Sequence, residues 1–85
     1  MIFDTIQVEC YSGYRANERP LAFTWRGKRR KVKEIADRWY EGGRSAKDPS
    51  LHYFKVVTDE GEEFILRYNS LFDAWAVVVP EDQEP

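Results

Sequence analysis

The chain has 85 residues, enough for one domain, with a net charge of −2, 15% aromatic and 33% charged residues, and a single cysteine, Cys10. One cysteine excludes an internal disulfide, so an efficient apolar core has to hold so short a chain together. The longest apolar run, Ala74–Val79, is far shorter than the ~20 residues of a membrane helix. The N-terminus lacks the basic-then-apolar pattern of a signal peptide. A cytoplasmic, non-membrane protein is expected, the lone thiol fitting a reducing compartment.

Taken in chain order, most apolar residues alternate with period two, the mark of half-buried strands. Ile6, Val8 and Cys10 alternate with Gln7 and Glu9. A first connection follows through Gly13 and residues 15–20. Leu21, Phe23 and Trp25 then alternate with Ala22, Thr24 and Arg26, and Gly27 and Lys28 mark a turn.

The next segment has two readings. Val32, Ile35, Ala36, Trp39 and Tyr40 fall at i, i+3, i+4, i+7 and i+8, which is helical spacing. No N-cap precedes them, however, and a long bulged strand from Arg29 to Tyr40 would pair with His52–Thr58, its bulges placing Ile35 and Trp39 inside together. The bent strand is preferred; a helix over residues 32–41 is the alternative. Residues 42–49 are expected to form a long mobile loop.

Phe54 and Val56 flank Lys55, and Phe64, Leu66 and Tyr68 alternate with Ile65 and Arg67. Between them, Thr58–Glu62 contains Gly61, which can take the positive φ of a tight hairpin. Asn69–Asp73 is a second hairpin loop. Trp75, Val77 and Val79 form the last strand, and Glu81–Pro85 is an acidic tail expected to be disordered. The expected fold is mainly β: one domain over residues 1–80, an antiparallel meander of five to six strands curling into a small open barrel. Its core comprises Ile6, Val8, Phe23, Trp25, Val32, Ile35, Val56, Phe64, Leu66, Trp75 and Val77. The alternative is α+β with the helix across the sheet.

Charge is unevenly distributed. Residues 25–33, WRGKRRKVK, carry six cations and no acid, leaving −8 for the remainder. In one reading Arg26, Lys28, Arg29, Arg30, Lys31 and Lys33 contact nucleic-acid phosphates, with Trp25 as a stacking face. In the other, Trp25 continues the apolar face of Phe23 into the core, and the cations are a solvated strand edge that discourages pairing between molecules. Alternation assigns Trp25 to the core. In a strand it places Arg29, Lys31 and Lys33 as a ridge on the outer face.

A second candidate surface is aromatic: Tyr11, Tyr14, Trp39, Tyr40, Tyr53 and Phe54 cannot all fit inside so small a domain, and Tyr and Trp anchor protein interfaces. Either these side chains or an unpaired edge strand would take a protein partner. Catalytic chemistry finds little support. His52 is the only histidine, 41 residues separate it from Cys10 with no metal-ligand spacing, and the glycines form no phosphate loop. No enzyme, cofactor or metal is expected.

The landmarks Arg19-Pro20, Phe23-x-Trp25-x-Gly27, Trp39, Val56, Gly61, Leu66-x-Tyr68 and Trp75 resemble a short uncharacterised bacterial family, over residues 19–79. The resemblance implies no activity. It implies an association with translesion-type DNA polymerases, and through it a nucleic-acid context. It does not account for the first eighteen residues.

Overall fold

A computed structural model describes residues 1–11, 19–42 and 50–84. The expectations for the first connection and for the loop after Gly42 therefore lie mostly outside the described residues. Six strands follow one another: β1 (Phe3–Cys10), β2 (Pro20–Trp25), β3 (Lys28–Glu41), β4 (Leu51–Thr58), β5 (Glu63–Asn69) and β6 (Ala74–Val78). Each pairs antiparallel with the next, and β6 returns to β1, so the meander closes into a barrel. Residues 32–41 are strand and not helix. No helix among the described residues is long and apolar enough to cross a membrane.

Closure depends on two strands that each serve two neighbours. Phe3–Ile6 of β1 pair with β6, and Gln7–Cys10 with β2. Likewise Lys28–Lys31 of β3 pair with β2, and Val32–Glu41 with β4. Two irregularities let β3 turn between its partners. Val32 and Glu34 oppose the consecutive Thr58 and Val57, and Ile35 and Asp37 oppose Val56 and Lys55, so Lys33 and Ala36 are extra residues.

The alternating side chains of the six strands converge inside. Phe23, Phe54, Val56, Leu66 and Val77 are wholly buried, and Trp25 and Phe64 nearly so. Phe64 meets the rings of Phe23 and Trp25 edge-on, at 5.3 and 5.6 Å, a favoured aromatic geometry. Of the expected core, Val8, Val32 and Ile35 are only partly buried and pack against the rest, while Phe54, Tyr68 and Val79 join it. Leu21 departs from alternation. Glu9 opposes Ala22 but Cys10 opposes Pro20, so Leu21 is the extra residue of a register shift and is 44% exposed.

The turns follow from their chemistry. Trp25 opposes Lys28, and Arg26 and Gly27 between them both have positive φ (52° and 76°), as a type I′ hairpin requires. At the β4–β5 turn, Gly61 has φ 82°, and the Thr58 hydroxyl accepts from the Glu62 amide. That bond explains how a buried threonine is tolerated. Glu81–Gln83, expected to lie in a disordered tail, form a 3-10 turn after Pro80.

Candidate functional site

The six cations of the basic segment do not share one surface role. At the β2–β3 turn, the Arg26 guanidinium lies 4.4 Å from the Trp25 ring centroid and donates to the Gln83 carbonyl at 3.0 Å. Lys28 pairs with Glu60 at 3.1 Å. Arg29 holds both oxygens of Glu9, at 2.7 and 3.0 Å. Because Glu9 opposes Ala22 and Arg29 opposes Thr24, this pair bridges β1 and β3 over β2. The Arg29 bond lowers the Glu9 pKa, and Glu9 raises that of Arg29.

Arg30 is turned inward. Its side chain is 12% exposed, its guanidinium lies 5.2 and 5.3 Å from the Trp25 and Phe64 centroids, and it donates to the Trp25 carbonyl. Glu62 approaches its Nε at 3.5 Å. Arg30 therefore caps one end of the core. Among the described residues, only Lys31 and Lys33 of the six have neither an ion pair nor a side-chain hydrogen bond. The three-cation ridge is thus reduced, since Arg29 is held by Glu9. Trp25 is 3% exposed and donates from Nε1 to Asp4 at 2.8 Å; it is core and offers no stacking face.

The aromatic surface is more sharply organised. Without a bulge, Ile35 and Trp39 would share a face. The extra Ala36 reverses this: Ile35 opposes Val56 of the core, whereas Trp39 opposes Tyr53 on the outside. Trp39 is thus not inside beside Ile35; it is 37% exposed and lies parallel to Tyr53, with centroids 5.2 Å and planes 3° apart. The outward row continues from Tyr53 to Arg67. The Arg67 guanidinium sits 3.9 Å from the Phe3 centroid. Ile65 and Val78 complete the floor of a recess of about 210 Å³ between Phe3, Tyr53 and Trp39, with Glu41 at its rim. Period-two alternation could have placed Arg67 and Ile65 outside, but not beside Trp39, because the bulge decides that.

From Asp37 to Glu41, β3 pairs residue for residue with Lys55 to Leu51. Its other edge meets no strand among the described residues, since β2 reaches only Lys31. The barrel is closed as a cycle, yet among the described residues no strand pairs with this side of the far half of β3, where the Arg38 amide donates to the Asp37 carboxylate at 2.8 Å. Every residue from Ala36 to Gly42 is exposed.

On the inner side of this end, rings step outward from the core: Trp75, Tyr68, His52 and Tyr40, with successive centroids 5.2, 6.0 and 5.0 Å apart. Burial, and then its hydrogen bond to Asp73 at 2.8 Å, pushes the Tyr68 pKa up to about 12. Burial, and then the charge of Arg38, lowers that of His52. The described residues contain no group of three or more His, Cys, Asp or Glu side chains that could hold a metal.

Residues 2–79 match a family model described as "Domain of unknown function (DUF6504)". The match takes in β1, which the sequence resemblance had left aside. No curated protein and no solved structure matches the chain.

Proposed function

The chain belongs to the DUF6504 family, whose description assigns no activity, and from the geometry we propose that it is a non-catalytic protein-interaction module whose contact surface is the outer face of the far half of β3. The observation that carries this reading is the Trp39–Tyr53 pair. A bulge turns a tryptophan out of a barrel whose core is otherwise rich in aromatics, and seats it on a tyrosine beside Arg67. Trp, Tyr and Arg are the residues that dominate protein interfaces. Among the described residues no strand pairs with the other side of β3 along Asp37–Glu41, and such strand edges in other sheets accept an added strand.

The reading is tested by passing native cell extract over the immobilised chain and over its Trp39→Ala variant. Any partner retained is then mapped by amide NMR on labelled protein. The expected outcome is retention lost in the variant and shifts over residues 37–41 and 51–55. Retention that is indifferent to Trp39 and maps elsewhere would overturn it.

A second reading keeps nucleic-acid backbone as the ligand of Arg26, Lys28, Arg29, Arg30, Lys31 and Lys33. Lys31 and Lys33 favour it because neither is paired among the described residues, and the resemblance to domains associated with translesion-type polymerases points the same way. The inward Arg30 and the carboxylates on Lys28 and Arg29 weigh against it. Titration with short single-stranded DNA separates the readings. Shifts confined to residues 26–33 that fade as salt rises would favour the second, because phosphate contacts release counterions.

A further inference from the structure

Resting on the protein-interaction reading, we infer that the recess bordered by Phe3, Trp39 and Tyr53 receives a lysine side chain of the partner, with its stem on Ile65 and Val78 and its ammonium at Glu41. The barrel supplies a precedent on the same floor. Ile65 and Val78 also line a neighbouring recess, where Lys55 lies beside them and its ammonium pairs with Glu63 at 3.3 Å. Lysine stems cover apolar surface in this way while the charged head stays in water. The recess at Trp39 has the same two floor residues and a carboxylate, but no lysine among the described residues that line it.

Size and charge then select the occupant. A volume of about 210 Å³ lies below the roughly 300–1,000 Å³ of small-molecule pockets and suits a single side chain. Glu41 is the one charged side chain among the described residues that line the recess. It is exposed, and no cation among the described residues pairs with it. Arg67 lies against Phe3 and outside the lining. Its charge disfavours a second cation at that end, which leaves the Glu41 rim as the seat of the ammonium. One carboxylate and water satisfy the three donors of a lysine head, whereas the fixed five-donor fork of an arginine finds a single acceptor side chain there.

Two short glycine–serine peptides test this, one with a central lysine and the other with norleucine, which keeps the stem and lacks the charge. Each is titrated against the full chain labelled in its methyl groups and amides. The lysine peptide is expected to shift the methyl signals of Ile65 and Val78 and the indole signal of Trp39. In the Glu41→Gln variant, checked for native amide dispersion, the affinity for the lysine peptide relative to the norleucine peptide is expected to fall about fivefold. That ratio corresponds to about 1 kcal/mol, the upper range of an exposed ion pair. A ratio unchanged by Glu41→Gln, or methyl signals that the lysine peptide does not move, overturns the inference. The interaction reading is decided separately, by whether Trp39→Ala abolishes retention of a native partner.

Discussion

The guanidinium of Arg30 covers Trp25 and Phe64 at one end of the barrel, while the next residue, Lys31, points into solvent. Replacing Arg30 with alanine uncovers two aromatic rings and strips Glu62 of its cation. A loss of about 2 kcal/mol in denaturant unfolding is expected. Lys31→Ala should change stability by less than about 0.5 kcal/mol, as surface substitutions do. The two substitutions remove the same formal charge, so a common electrostatic origin would make their effects equal. The tryptophans divide in the same way. Trp25→Ala empties a core position and should cost about 3–5 kcal/mol. Trp39→Ala gives up one exposed stacked pair and should cost about 1 kcal/mol. Comparable losses from the two would contradict the placement of Trp39 outside the barrel.

At the scale of elements, the hairpins and the long strand show what local pattern can and cannot carry. Gly27 and Gly61 have positive φ, and a Cβ at either position would meet no atom within 4 Å, so Gly→Ala at either site reports backbone conformation alone. Each should cost about 1–2 kcal/mol, the penalty of left-handed backbone in an L-residue, read as a shift in urea midpoint with unchanged slope. The turns, the strand alternation and the burial of Phe23, Trp25, Leu66 and Val77 were legible because they depend on residues a few positions apart. Trp39 was not. Its side is fixed by one extra residue at Ala36, and a bulge is defined by the partner strand, which alternation within β3 does not contain. Leu21 was misplaced for the same reason, by the shift against β1. The helical spacing of Val32 to Tyr40 marks no common face, since Ile35 opposes the buried Val56, Ala36 is the extra residue and Trp39 lies outside against Tyr53.

Across the whole molecule, charge is settled between distant elements. Lys28, Arg29 and Arg30 come from one cationic run, yet their partners Glu60, Glu9 and Glu62 come from β1 and the β4–β5 turn, which is why the run looked more available than it is. The same long-range packing predicts the pH range of stability. His52 is the only histidine, and burial and Arg38 hold its pKa below the ordinary 6.5. Above that value both folded and unfolded chains carry it neutral. As pH falls through 6.5 the unfolded chain takes up a proton that the folded one resists, so stability declines until the folded pKa is passed. Tyr68 acts at the other end. Its hydroxyl ionises near 10 in the unfolded chain and at about 12 in the folded one, so the contribution present below pH 10 is lost as pH rises from 10 to 12. Urea midpoints should therefore be flat with respect to these two groups between pH 6.5 and 10 and fall on both sides. His52→Gln should flatten the limb just below pH 6.5 and leave the alkaline limb in place. Tyr68→Phe should do the converse, sparing the ring packing against Trp75 while removing the proton. An acid limb just below pH 6.5 that survives His52→Gln would place its origin in another group.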